Sequence, residues 1–323
     1  MKKILLTGVA GFIGSHLADQ LVKTGAQVIG VDNLLTGNKN NLSQLQDRAN
    51  FEFIQADVSN TPYHYLGQEI SFDLILHLAS PASPPRYQEH PVATYLVNSI
   101  GTHQLLQYLL ATNPQGRFVF TSTSEVYGDP EKHPQSEDYW GNVNPNGLRS
   151  CYDEAKRLGE TICGVHARDF ELDVRIVRIF NTYGPRLDPD DGRVISNFVK
   201  QALAKQPLTI YGDGQQTRSY CYIDDLVSGI LAVAQTQGLA GQTINLGNPD
   251  EYTILETASI IKKVCQQQGL LINDQLVYQD LPADDPSRRQ PDITKARQLL
   301  NWQPQISFEQ GVKKTLAWFK NNS

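Results

Sequence analysis

Tyr152 and Lys156 stand four residues apart in a stretch, Phe120 to Glu160, whose pattern predicts a helix opening near Ser150. Residues at that spacing project from one helical face about a turn apart, so a phenol and an ammonium are held close together. Free tyrosine titrates at about 10, and a neighbouring positive charge favours the phenolate by Coulomb attraction, which makes a usable base near neutral pH. Thr123 follows the apolar run Phe118, Val119 and Phe120 and is expected at the carboxyl end of a strand, where open parallel sheets place their ligands. There its hydroxyl can share the proton of a substrate alcohol. A tyrosine and a lysine four apart also occur on ordinary exposed helices, so the pair gains meaning from what else the chain carries.

The chain also carries a glycine turn near its start. Lys3 to Thr7 reads as a short apolar strand, Gly8, Gly11 and Gly14 follow, and Phe12 to Val22 has helical apolar spacing. The first glycine permits a tight turn, the second lets a pyrophosphate approach the backbone, and the third lets helix and strand pack. The helix opening at Phe12 and Ile13 points its free N–H groups at that pyrophosphate. The next strand, Gln27 to Val31, ends in Asp32 and Asn33, where a carboxylate accepts from a ribose 2′-hydroxyl and repels a 2′-phosphate. The pattern predicts NAD and not NADP, and oxidised nicotinamide would add its positive charge beside Tyr152. An ordinary strand-end turn is the other reading of Asp32.

With both motifs present, TSTSEVYG followed by YDEAK resembles the catalytic segments of the extended short-chain dehydrogenase/reductases, which epimerise, dehydrate or decarboxylate nucleotide sugars. SPASPP, the HPQSEDYWGNVNP segment ending at Pro145, QTR at Gln216 to Arg218 and RQPD from Arg289 are similar to segments of the UDP-glucuronic acid decarboxylases, also called UDP-xylose synthases. The resemblance spans nearly the whole chain. It implies further cofactor contacts from Thr36, Gly37, Asp57, Val58, Leu78 and Ser80, with Asp57 as the adenine-side acid; a helix cap is the other reading of Asp57. It also implies substrate contacts from Tyr87, Asn181 and Tyr211. Arg193, Arg218 and Arg289 are the candidates for the substrate's anionic groups, since an acidic protein must supply local positive charge and guanidinium suits phosphate. Each of the three could instead make an ordinary ion pair.

Thr123, Ser124 and Glu125 match the decarboxylases' TSE triplet. In 4,6-dehydratases the position of Ser124 is an aspartate that protonates the leaving hydroxyl, and in plain 4-epimerases the position of Glu125 is usually uncharged. The resemblance therefore implies NAD-dependent decarboxylation of UDP-glucuronate to UDP-xylose. Tyr152, supported by Lys156, removes the C4 hydroxyl proton as hydride leaves C4; the resulting β-keto acid loses carbon dioxide; Tyr152 and Thr123 stabilise the enolate oxygen; C5 is protonated and the hydride returns. Glu125 and Arg289 position the carboxylate or manage the C5 proton, and Glu125 could also be a structural carboxylate paired with an arginine. The chain departs from the family at TYLVN, where eukaryotic members often carry TLKTN: Leu96 replaces a lysine able to meet the substrate. A UDP-sugar 4-epimerase remains an alternative. So does an NAD-binding redox sensor without turnover, which would have no need of Tyr152 and Lys156.

The alternation of strands and helices predicts an α/β protein, a Rossmann-type doubly wound parallel sheet with a smaller α/β lobe over its carboxyl edge. Strands are expected at Phe51 to Ile54, Phe72 to Leu78, Leu172 to Ile179 and Thr243 to Leu246, and helices at Val194 to Ala204 and Ile223 to Ala234. Residues 1–180, with 219–247 returning, form the expected NAD lobe; 181–218 and 248–323 form the nucleotide-sugar lobe. A helix from Val92 to Leu110, carrying Asn98, would join the Tyr152 helix in the face through which the resemblance implies a homodimer. A net charge of −6 without a long basic run argues against nucleic acid as a partner. Four scattered cysteines without a CxxC pair suggest reduced thiols and a cytoplasmic protein, and no apolar stretch reaches membrane-spanning length.

Overall fold

Seven short runs rich in Val, Ile, Leu and Phe become one parallel sheet: β1 Lys3–Thr7, β2 Gln27–Asp32, β3 Phe51–Gln55, β4 Leu74–His77, β5 Arg117–Thr123, β6 Asp173–Ile179 and β7 Thr243–Leu246. The computed structural model describes residues 2–281 and 288–322. The strand order is β7-β6-β5-β4-β1-β2-β3, so the chain reverses direction across the sheet between β1 and β4. Consecutive side chains of a strand point to opposite faces, and here both faces are covered. Ile4 and Leu6 join one buried cluster with Leu17 and Leu21 of the helix Phe12–Lys23, whereas Leu5 joins another with Leu105, Leu109 and Cys163.

Register brings the strands' carboxyl ends to one edge. Thr7 pairs with Val31 and with His77, and Thr123 pairs with Ile179. Loops after β1 and β4 leave that edge in opposite directions, which opens the crevice where doubly wound sheets bind ligands. Over it lie three small two-stranded sheets: Thr182–Tyr183 with Cys221–Tyr222, Leu208–Tyr211 with Leu276–Gln279, and Thr217–Ser219 with Glu251–Thr253. The helices Val194–Leu203, Ile254–Gln267 and Phe308–Asn322 back them, the second opened by a capping box of Thr253 and Glu256.

The predicted helix from Val92 to Leu110 is interrupted. Helix Pro91–Leu96 runs into a π-turn, Val97–Gly101, before the helix Thr102–Thr112 resumes. The wide turn buries Asn98, whose Nδ2 donates to Ser80 Oγ (2.8 Å) and to the Thr94 carbonyl (2.8 Å). Pro84 and Pro85 of the SPASPP segment open a short helix, Pro84–Glu89; proline suits a helix's first positions because no intrahelical partner awaits its missing N–H. All four cysteines are free thiols, and among the described residues no helix is long and apolar enough to cross a membrane.

Candidate active site

A cavity of about 1030 Å³ runs along the carboxyl edge of the sheet, and every candidate residue named above lines it except Leu96. Leu96 is half-buried and does not line the cavity, whereas its neighbours Ala93 and Val97 do.

The cofactor end is built from backbone. Gly8 adopts φ +71°, a left-handed conformation that costs a side chain energy, and a Cβ on Gly14 would stand 2.0 Å from the Gly8 carbonyl oxygen. Helix and turn thus meet with no room between them. No side chain caps the helix Phe12–Lys23, so the N–H groups of its first turn are left for an anion. Asp32 accepts from the N–H of Ala10 (3.0 Å) and of Leu34 (2.8 Å), and Gly37 approaches so closely that a Cβ there would lie 2.8 Å from its Oδ1. Two acceptor sites are used, and a carboxylate offers about four, so a ribose hydroxyl can still be met. Burial raises the Asp32 pKa from its ordinary value, against the two backbone donors. Asp57 accepts from Asn33 Nδ2 (3.3 Å) and the Ser59 N–H (2.8 Å); the next helix, Pro62–Leu66, has Thr61 at its cap, so Asp57 is not that helix's cap. These features fit a dinucleotide: a cradle that a Cβ would fill, a free helix N-terminus, and an acid at the end of β2.

At the other end, Thr123 closes β5 and accepts from the Glu125 N–H (3.2 Å), capping the 3-10 turn Ser124–Tyr127 that carries Ser124 and Glu125 into the cavity. Tyr152 and Lys156 leave the helix Ser150–Asp169 on one face, both buried. Tyr152 is hydrogen-bonded to Thr123 and stacks on Tyr87 with centroids 5.0 Å apart and planes 4° apart, a contact that the proline-opened helix makes possible.

The charge relation differs from the expected one. Lys156 Nζ donates to the Thr121 carbonyl (2.6 Å) and lies over the Phe120 ring, 5.9 Å from the centre of the Tyr152 ring. Burial pushes Lys156 down to about 7, with Cys163 and Glu160 opposing. Burial also pushes the Tyr152 phenol upward, while its hydrogen bond with Thr123 lowers it. Desolvation is the leading influence on both groups, because each charged form leaves water for an apolar surrounding.

The substrate end is cationic. Burial opposes the charge of Glu125, yet Arg289, Arg149, Arg218 and Arg193 hold its pKa below the ordinary carboxylate range. Arg149 Nη2 bonds its Oε2, Arg289 Nη2 lies 3.2 Å from the same oxygen, and Arg289 Nη1 donates to the Ser124 carbonyl (3.0 Å). The reading of Glu125 as an arginine-paired carboxylate is therefore met, on the wall of the candidate site. Arg193 forms a two-pronged pair with Asp191, and Arg218 lies buried on the strand Thr217–Ser219. Asn181 and Tyr211 line the same end. Sequence reasoning missed Arg149; its available signal was position, three residues before Tyr152 and so on the same helical face.

The family model for GDP-mannose 4,6 dehydratase matches residues 5–315. UDP-glucuronic acid decarboxylase 1 of Xenopus tropicalis is 47% identical over 99% of this chain and 72% of that protein. UDP-glucuronic acid decarboxylase 1 of Arabidopsis thaliana is 48% identical over 99% of this chain and 70% of that protein. The structure of UDP-glucuronic acid 4-epimerase from Bacillus cereus, in complex with UDP-glucuronic acid and NAD, matches with a TM-score of 0.87 at 32% identity, covering 99% of this chain and 100% of that one.

Proposed function

The chain belongs to the UDP-glucuronic acid decarboxylase family, within the extended short-chain dehydrogenase/reductases, and from that membership we propose that it converts UDP-glucuronate to UDP-xylose and carbon dioxide. The observation that carries the reading is the arginine cluster set beside the Thr123–Tyr152 pair. Four guanidinium groups there meet Glu125, Asp153 and Asp191 in a chain whose net charge is −6, so local positive charge is concentrated where a diphosphate and a sugar carboxylate would bind.

Gly8, Gly11, Gly14 and the first turn of the adjoining helix would hold the pyrophosphate of NAD, Asp32 its ribose, and Asp57, Val58, Leu78 and Ser80 its remaining edge. NAD supplies the acceptor for the sugar's C4 hydride and its later donor, so it is recycled and a transient 4-keto acid becomes available. Tyr152, as the phenolate, accepts the O4 proton; burial favours the protonated phenol, which then donates a hydrogen bond to O4 as charge builds there. Thr123, bonded to Tyr152, supplies the second hydrogen bond to that oxygen while the C5–C6 bond breaks, carbon dioxide departs and the bonding pair left on C5 delocalises onto O4. Lys156 fixes the distance between strand and helix through Thr121. Ser124 presents a small hydroxyl, and Glu125 and Arg289 orient the sugar's carboxylate end and serve the protonation at C5. Arg193, Arg218, Asn181, Tyr211 and Tyr87 complete the nucleotide-sugar contacts.

The test is conversion of unlabelled UDP-glucuronate in heavy water. One carbon dioxide should be released per pentose, with one deuterium at C5 and no net NADH. A six-carbon product with an intact carboxylate would transfer the assignment to 4-epimerisation, the reaction named for the Bacillus cereus neighbour.

We also read the protein as a homodimer. Val92, Tyr95, Ile100 and Leu158 are exposed on the adjoining helices Pro91–Leu96 and Ser150–Asp169 and the intervening π-turn, an apolar face suited to a second copy. Light scattering should give twice the 36.1 kDa of one chain; a monomer mass would remove this reading.

A further inference from the structure

Arg149, Tyr152, Asp153 and Lys156 occupy positions i, i+3, i+4 and i+7 of one helical face, which in most packed helices is apolar. Tyr152 and Lys156 have roles in the proposed reaction; Asp153 has none so far. It is 7% exposed, and its Oδ1 is buried without a hydrogen-bond partner. Its Oδ2 lies 3.8 Å from Arg149 Nε, while Nη2 of the same guanidinium bonds Glu125. One arginine is thus set between two carboxylates from different elements, the helix and the turn after β5. An acid that only favoured the helix N-terminus would do so equally well from the surface, without the cost of burying an unpartnered oxygen.

We propose that Asp153 is a positioning residue acting through Arg149: protonated, it leaves the guanidinium to Glu125, and ionised, it competes for it and loosens the Glu125 carboxylate. The inference rests on the decarboxylase reading for its consequence in turnover, but not for the competition itself. The groups bearing on Asp153 are Glu125, Arg149, Arg289 and Glu154, with Tyr87, Tyr152 and Cys151 also within electrostatic reach. Burial, then the charge of Glu125, raises its pKa, while Arg149 and Arg289 lower it. Raised in this way, the group holds its proton at neutral pH and loses it as pH rises, so Arg149 stays with Glu125 in the neutral range and is drawn away above it. The Tyr87 hydroxyl, also buried without a partner, faces the same charges.

Infrared difference spectra of the holoenzyme against Asp153→Asn should show a protonated carboxyl band at neutral pH that disappears on alkaline titration. Its midpoint should rise in Arg149→Gln, which removes the attracting cation, and fall in Glu125→Gln, which removes the repelling anion. In turnover, the ratio of kcat at about pH 9 to that at about pH 7 should be about fivefold higher in Asp153→Asn than in the wild type. The double variant Asp153→Asn, Arg149→Gln should show the same ratio as Arg149→Gln alone. Absence of the band, or midpoints unmoved by both partner substitutions, overturns the competition. Carbon dioxide release with a ratio changed less than about twofold overturns the positioning role. If the wild type releases none, the functional reading falls, and the infrared midpoints still decide the competition.

Discussion

Tyr152→Phe is expected to lower turnover of UDP-glucuronate about 10³-fold while leaving NAD affinity within a few-fold, because proton transfer by a placed group contributes about 10²- to 10⁴-fold. The change deletes one oxygen and keeps the ring. The stack on Tyr87, at 5.0 Å and 4°, depends on ring faces and survives. Thr123 loses its bond to the phenol, a net loss of about 1 kcal/mol in stability, too little to unfold the chain. The loss should fall on kcat and kcat/KM together, since the proton acceptor matters as O4 is oxidised and not when the sugar binds. Carbon dioxide release and the absorbance of transient NADH in a single turnover measure it. Turnover within tenfold of wild type would place the base on another residue.

Gly14→Ala should abolish NAD retention and destabilise the protein by about 3 kcal/mol, the upper range for forcing extra atoms into a packed site. The new Cβ would lie 2.0 Å from the Gly8 carbonyl oxygen and 2.8 Å from its carbonyl carbon, both backbone atoms with no rotamer to give way. Gly8 is itself pinned, since its left-handed turn has the backbone of Leu78 and Ala79 on its other side. The helix would have to retreat from β1, and the N–H groups aimed at the pyrophosphate would move with it. Cofactor content of the purified protein and a denaturant midpoint report the two effects separately. Normal NAD occupancy would show that the helix tolerates the shift and that this close approach does not build the cradle.

The nucleotide end and the Tyr152 helix were legible because their signals are local. Glycines at fixed offsets, a strand ending in an acid, and two side chains four apart on a helix are properties of consecutive residues, and regular backbone geometry converts them into positions. The predicted boundaries of β1 and β7 coincide with those observed, and the helix predicted from Phe12 ends one residue later, at Lys23. The π-turn at Val97–Gly101 was not legible, because its widening is maintained by Asn98 reaching Ser80, eighteen residues away, and helical periodicity carries no trace of that bond. The short helix after Ser83 was missed for a different reason: prolines open helices and stiffen turns with the same residue type, and only packing of Tyr87 on Tyr152 distinguishes the two.

By itself, then, the sequence determined an α/β chain with a dinucleotide turn, a tyrosine and lysine on one helical face, and a TSE triplet at a strand end. Tertiary structure decided what those groups are chemically. Glu125 meets Arg149 across 24 residues and Arg289 across 164, and these contacts keep it ionised inside the protein. Tertiary structure also decided that burial, and not the neighbouring lysine, governs the Tyr152 phenol. Desolvation and long-range charge depend on which distant segments close over a side chain, and those are set only when sheet, turn and overlying strands come together.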